Sequence, residues 1–340
     1  MIAKAMEQLQ LRLPFVLYSK PATDEVNGLL QDDASYHREV DSRFVFAPFH
    51  QNGDKIHFRP DDSLTSSFQG SALPLAPMDL KGEEGKEAYR TVVAEAIDQI
   101  RSEDLEKVVL SRRIDGREGP DVFTSFRKAL ATYPETFVYL VYHPKIGCWL
   151  GATPEQFVHI EKGQLRTVAL AGTLAYNEGE SPNWSPKETY EQQVVTDYIV
   201  NSLDQELDTI SVAPVASVRA GSLWHLKTVI KAKLEPQTDL EALIDALHPT
   251  PAVCGLPKAN AYRFIERHEN HKREYYTGYL GELQPTADIE ASLYVNLRCM
   301  KHDGNTYSIF VGGGITNESD PDREWIETQE KSKVMLRLLN

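Results

Sequence analysis

The chain has 340 residues, 41% hydrophobic and 25% charged, a balance that supports a sizeable buried core in a soluble globule. A formal net charge of −14 argues against nucleic acid or an anionic membrane as partner, because both reward clustered Lys and Arg. Cys148, Cys254 and Cys299 lack CxxC spacing, which argues against a disulfide framework or a zinc site, and no apolar run reaches signal-peptide or membrane-spanning length, so a cytoplasmic protein is expected.

In chain order, apolar runs at Phe15–Tyr18, Phe44–Phe49 and Ile56–Phe58 predict a β-rich N-terminal part over residues 1–85. Pro60 to Glu87 is rich in Ser, Pro, Gly and acids and reads as a long connection. Tyr89, Val92, Val93, Ala96, Ile97 and Ile100 recur at helical steps. KVVLSRRI follows as a strand opened by Lys107, DVFTSFRKAL as a helix, and FVYLVYH, CWLGATPE and FVHI as strands. ETYEQQVVTDYIVNSL and DLEALIDALH are helices, before the breaker-rich HPTPAVCGLP from His248 to Pro257. NAYRFIERHE is helical, YTGYLGEL and ASLYVNLRCM are strands, YSIFVGGGI is a strand ending in glycines, and DREWIETQEKSKVMLRLL is a final helix. Strands often follow one another directly. The expected fold is therefore α+β, with large, mostly antiparallel sheets and flanking helices, and residues 86–340 forming one globular unit with the N-terminal part.

Two helices carry acidic pairs at three-residue steps, Glu188 with Glu191 and Glu324 with Glu327. Residues three apart share a helix face, so each segment aims two carboxylates one way. With Lys187 and Lys331 on the same segments, the pattern points to a hard-cation site for an anionic ligand, and oxygen donors from separate elements suit Mg²⁺. Gly312, Gly313 and Gly314 allow close approach to backbone, though a tight turn explains them equally, and G-x-G-x-x-G spacing is absent. Glu155 follows a proline at a strand end, where a poorly hydrated carboxyl serves as an acid; an exposed glutamate is the commoner case. Lys107 reads most simply as a solvated lysine at a strand start, and His225 as a satisfied core residue. Arg298, inside a strand pattern, needs an anionic partner if buried.

The ordered set KVVLSRR, GATPE, ALAGT, KETYE, HPTPAVCGLP, REYYTGYLG, LRC, GGGI and EWIETQEK, from Lys107 to the C-terminus, resembles the chorismate-utilising enzymes, which include isochorismate, salicylate, anthranilate and aminodeoxychorismate synthases. The resemblance implies that Glu191 and Glu327 hold Mg²⁺, assisted by Glu188 and Glu324, and that the ion grips the ring carboxylate of chorismate. It implies that Arg298, Tyr276 and the Gly312 backbone hold the enolpyruvyl carboxylate, with Lys331 nearby. Ala171, Gly172 and Thr173 would line the ring, and His225 would touch the pocket. Relatives that use ammonia carry glutamine at the position of Lys107, whereas those that add water carry lysine. Lys107 therefore implies water as nucleophile, with Glu155 as the acid on the opposite face, and no glutaminase subunit. Isochorismate formation is the expected activity, by a monomer, with salicylate or amino-product formation as the alternative; menaquinone and catechol siderophore routes both begin from that product.

Overall fold

The computed structural model describes residues 1–34, 42–68, 70, 84–117, 119–175, 179, 181–204, 207, 209–220, 223–235, 238–284 and 290–339. Helix α1 (Ile2–Leu11) precedes β1 (Phe15–Ser19), β2 (Glu25–Leu30), β3 (Phe44–Ala47), β4 (Ile56–Phe58) and β5 (Asp62–Ser67). Helix α2 (Lys86–Arg101) leads into β6 (Lys107–Arg117), α3 (Val122–Thr132), β7 (Phe137–His143), β8 (Gly147–Thr153), β9 (Gln156–Glu161) and β10 (Gln164–Ala175). Next come α4 (Pro186–Asp204), β11 (Ile210–Val212), β12 (Ala216–Ala220), β13 (Leu223–Lys233), α5 (Leu240–Leu247) and β14 (Gly255–Leu256). The order closes with α6 (Lys258–His268), β15 (Tyr279–Gln284), β16 (Glu290–Val295), β17 (Cys299–Asp303), β18 (Thr306–Ile315) and α7 (Pro321–Leu339).

The strands form two sheets. One runs β14-β6-β18-β17-β8-β7-β1-β2-β5; the other runs β11-β13-β10-β9-β16-β15-β3-β4, with β12 beside β13. Pairing is antiparallel, as in β6–β18, β10–β13 and β15–β16, so the α+β architecture expected from sequence is the one observed. The N-terminal strands divide between the sheets: β1, β2 and β5 extend the first, β3 and β4 the second.

The sheets share an aromatic layer. Phe137, Tyr139, Trp149 and Phe310 of the first meet Phe44, Phe46, Leu280 and Tyr294 of the second. Phe137 stacks on Tyr294 at 4.3 Å, and Phe46 on Tyr275 at 4.6 Å. Burying each such ring is worth about 2–3 kcal/mol in transfer free energy, which makes this layer the main cement between the sheets. Val195, Ile199 and Leu203 of α4 cover the outer face of the second sheet. Phe123 and Phe126 of α3, with Met335 and Leu338 of α7, cover that of the first.

Two strand pairs cross from one sheet to the other. β8 pairs with β17 (Gly151 opposite Cys299), and the same chains continue as β9 beside β16 (Gln156 opposite Tyr294). ASLYVNLRCM is therefore not one strand, and Arg298 does not lie inside one. The chain turns between β16 and β17, where Arg298 has a left-handed φ of 48°. Buried Asn296 explains the break: its side chain donates to Tyr275 O at 2.8 Å and accepts from the Tyr139 hydroxyl, fixing the corner. A second correction concerns the connection expected from Pro60 to Glu87. Asp62–Ser67 is an edge strand on β2, hidden because its largely exposed Ser/Thr sequence shows no clear apolar alternation. Lys227, Lys231 and Lys233 likewise mask β13 from an apolar-run reading.

Candidate active site

The strand crossing opens an edge. The β17–β18 ladder stops at Cys299 opposite Phe310, whereas β18 runs on through Gly312, Gly313 and Gly314 to Ile315, paired to β6 alone among the described residues. The glycines are thus strand interior and not the tight turn that sequence left open. Lys331 Nζ donates to Gly312 O at 2.8 Å on this stretch. A Cβ on Gly312 would lie 3.0 Å from the Tyr276 hydroxyl; one on Gly313, 3.1 Å from Glu324 Oε2 and 3.5 Å from Glu327 Oε1; one on Gly314, 3.1 Å from Lys107 Cε. Four side chains, Tyr276, Glu324, Glu327 and Lys107, therefore approach one side-chain-free strip of backbone.

On α7, Glu327 pairs with Lys331 at 2.5 Å, one helical turn apart. Glu324 accepts from Ser319 Oγ at 2.7 Å, and Ser319 Oγ in turn accepts from Thr316 N–H at 3.1 Å. Glu324 Oε2 is buried without a partner. Burial pushes the Glu324 carboxyl above its ordinary range and the charge of Glu327 adds to this, against the Ser319 hydrogen bond and Lys331. Two oxygen donors over a strip lacking Cβ atoms, one of them unpartnered, fit a hard divalent cation that completes its shell with water and ligand.

Helix α4 divides its pair. Pro186 occupies the first helical position, and Glu188 Oε2 accepts from Ser185 N–H at 2.9 Å and from the Ser185 hydroxyl. This is a capping box, so Glu188 Oε2 is engaged in starting its own helix. Glu191, a turn later, receives Lys107 Nζ at 2.8 Å, with the two side chains 25% and 14% exposed. Gln192 fastens α4 to the second sheet through Ala169 O at 3.1 Å and Thr228 Oγ1 at 2.9 Å. Among the described residues no three His, Cys, Asp or Glu side chains converge as a ready-made cage.

Glu155 and Arg298 face each other across the corner, where Ala152 N–H donates to Arg298 O at 3.0 Å and Val295 N–H to Glu155 O at 2.9 Å. Burial raises the Glu155 carboxyl, while the charges of Arg298, Lys107 and Lys331 pull it down, so one carboxyl senses cations from three elements. Burial lowers the Arg298 guanidinium, countered by Tyr276, Glu155 and Glu327. Tyr276 is 3% exposed and stacks on Phe310 at 5.7 Å; burial pushes its phenol up, which keeps it a neutral hydrogen-bond donor. Gly172 sits in a bulge of β10 with φ 68°, its carbonyl 3.1 Å from His225 Nδ1. His225 is thus a half-buried contact of the bulge and not a core residue. A Cβ on Gly172 would meet Glu188 Cβ at 3.2 Å, so Ala171 and Gly172 lie under the first turn of α4; the Thr173 side chain falls outside the described residues.

Lys107 is held from behind. β14 pairs Leu256 with Lys107 and Gly255 with Val108, so HPTPAVCGLP forms the wall beside it. Buried Arg273 donates to Glu269 Oε1 at 2.6 Å, Val109 O at 2.6 Å and Val253 O at 2.9 Å, and Glu269 accepts from Ser111 N–H at 2.7 Å. This cross-link, like Ser319, went unread in the sequence. Its only trace there is the four-residue spacing of Glu269 and Arg273. Ser185 did leave a legible mark, the S-x-x-E pattern with proline after the serine.

Two crossed antiparallel sheets with acids, lysines and an arginine gathered at the crossing define the class. The chain belongs to the chorismate-binding enzyme family, whose profile matches residues 28–337. It is 31% identical over 264 residues to isochorismate synthase MenF of Escherichia coli strain K12, an alignment covering 75% of this chain and 60% of that protein. It is 33% identical over 203 residues to the salicylate biosynthesis isochorismate synthase of Pseudomonas aeruginosa, covering 57% and 42%. The chain thus spans less than two thirds of the length of these relatives. The crystal structure of a candidate 2,3-dihydroxybenzoate-specific isochorismate synthase from Bacillus anthracis superposes with a TM-score of 0.79 at 26% identity, over 100% of both chains. No helix among the described residues is long and apolar enough to cross a membrane.

Proposed function

We propose that the protein is an isochorismate synthase that isomerises chorismate by adding water at C2 and releasing the C4 hydroxyl. The observation that carries this reading is the convergence of Lys107, Lys331, Tyr276, Glu324 and Glu327 on the glycine strip, with the Glu155 carboxyl, raised by burial, in the field of Lys107, Lys331 and Arg298. Arg298, Lys331 and the neutral Tyr276 hydroxyl supply the positive and donor groups that a dianionic ring acid needs. Lys107 accepts a proton from water as its oxygen bonds to C2. The ring double bonds shift, the C4–O bond breaks, and Glu155 donates the proton with which that hydroxyl leaves as water. One water enters and one departs, and the two proton transfers require a base and an acid on opposite faces. The Lys107–Glu191 ion pair must give way before Lys107 takes a proton.

Glu324 and Glu327, with Glu191 from across the cleft, would hold Mg²⁺, which when bound would neutralise a substrate carboxylate. Lysine at 107 and the likeness to isochorismate synthases favour water over ammonia, hence a chain acting without a glutaminase subunit. Incubating purified protein with chorismate and Mg²⁺ and separating the products tests the reading. Isochorismate is expected. Salicylate or anthranilate as the main product would refute it.

A further inference from the structure

The face of the second sheet that is turned away from α4 carries a strip of cations. Along β10 the positions 165, 167 and 169 are buried while 166, 168 and 170 are half-buried; along β13, 226, 228 and 230 are buried while 227 and 229 are half-buried and 231 is exposed. Arg166 lies directly opposite Lys231, and Lys227 opposite Leu170. No carboxylate among the described residues pairs with Arg166, Lys227 or Lys231. Like charges directly opposite each other on a ladder are destabilising, so the chain retains this arrangement at a cost to its fold. Among the described residues, acids pair with cations at the outer end of the strip, where Glu161 approaches His159 and Lys162, and Glu235 approaches Lys233.

The inner end leads to the active site. β9 pairs with β10 only from Gln164 to Arg166, and beyond that point the two strands separate. A cavity of about 290 Å³ occupies the gap, lined by Arg166, Leu170, Lys227, Thr250 and Glu155. Thr250 Oγ1 is buried there with no hydrogen-bond partner. The cavity therefore joins Arg166 and Lys227, which no described carboxylate pairs, to the carboxyl assigned as the acid.

We propose that Arg166, Lys227 and Lys231 form the approach by which the dianionic substrate reaches the site, a positive track on a chain whose net charge of −14 otherwise repels it. This inference rests on the reading of the protein as a chorismate enzyme. A local positive strip raises the concentration of an anion at a cleft and accelerates its capture, and salt screens the effect. These are positioning residues that act before chemistry. Neutralising them should alter capture and leave the chemical step alone.

The test compares wild type with the R166Q/K227Q/K231Q variant, measuring turnover of chorismate and, by calorimetry, its binding in the presence of Mg²⁺, at several salt concentrations. The expected result is kcat/KM lowered about 5- to 20-fold at low salt, kcat unchanged, and the difference shrinking to less than about twofold at 0.5 M salt. A purely structural role would lower Tm and kcat at every salt concentration. A variant with the wild-type salt dependence of both kcat/KM and Kd would overturn the inference. Should wild type bind chorismate without converting it, the functional reading falls while the salt dependence of Kd still decides the track; absence of binding overturns both.

Discussion

Replacing Lys107 by glutamine separates what this residue does for the fold from what it does for the reaction. Its Nζ lies 2.8 Å from Glu191, in a pair that is neither fully buried nor fully hydrated. Glutamine keeps a donor for Glu191, so the loss is of charge and not of all contact, costing about 1 kcal/mol of stability. For a chain of this size that lowers Tm by about 1–3 °C. The strand itself is secured independently by β14 and by the Arg273 bonds to Val109 and Val253. Removing a general base typically costs about 10²- to 10⁴-fold in rate, equivalent to about 3–5 kcal/mol on the barrier. Turnover should thus collapse in a protein that still melts nearly as wild type does. Chromatographic quantification of isochorismate, alongside a thermal melt, reads both numbers. Isochorismate formation within about threefold of wild type would remove Lys107 from the base role.

Glu155→Gln should lower kcat by about 10²-fold while changing the Kd for chorismate by less than about threefold, because the acid matters only as the leaving group departs. Since the Glu155 carboxyl is raised, it holds its proton to higher pH than an ordinary glutamate; kcat should fall as pH rises through that raised value, and the glutamine variant should lack this limb. Glu324 is raised as well, so the folded chain binds more protons than the unfolded one between the ordinary glutamate range and the raised value, and stability falls as pH climbs through that window. Glu324→Gln should therefore raise Tm at pH 8 by about 1–2 °C while abolishing the gain in Tm that Mg²⁺ gives wild type; a melt with and without Mg²⁺ checks both. Gly313→Ala places a methyl group 3.1 Å from Glu324 Oε2. Its activity should drop at least about tenfold at limiting Mg²⁺ with Tm within about 2 °C of wild type, and full activity at every Mg²⁺ concentration would refute the seat over Gly313.

Much of this arrangement was legible because it is local. Glu324, Glu327 and Lys331 fall on one face of α7 by helical spacing alone, and α2, α3, α5 and α6 announce themselves by apolar periodicity and caps such as Asp121 and Asp239. What escaped depends on contacts between distant segments. Nothing near Asn296 in sequence reveals that its amide bonds to Tyr275 and Tyr139 will bend a continuous-looking strand and throw Arg298 out at a corner. Helical geometry places Glu188 with Glu191, and its position three residues after Ser185 gives it a second partner that a helix-face reading alone does not show. The fastening of β6 through Glu269 and Arg273 joins residues more than a hundred positions apart and has no periodic signature.

The run Gly312–Gly314 has a consequence for how one scaffold serves several chemistries. Because these residues are already zipped to β6, a ring acid resting on them, as proposed, would meet backbone that is ordered in advance, and docking would freeze no chain freedom on that side. Such a platform is indifferent to which nucleophile arrives. Divergence among enzymes sharing it would then be free to concentrate in the few side chains that overhang it, so that, on the proposed reading, a single exchange at a position such as Lys107 would redirect the product without disturbing the ground on which the substrate stands.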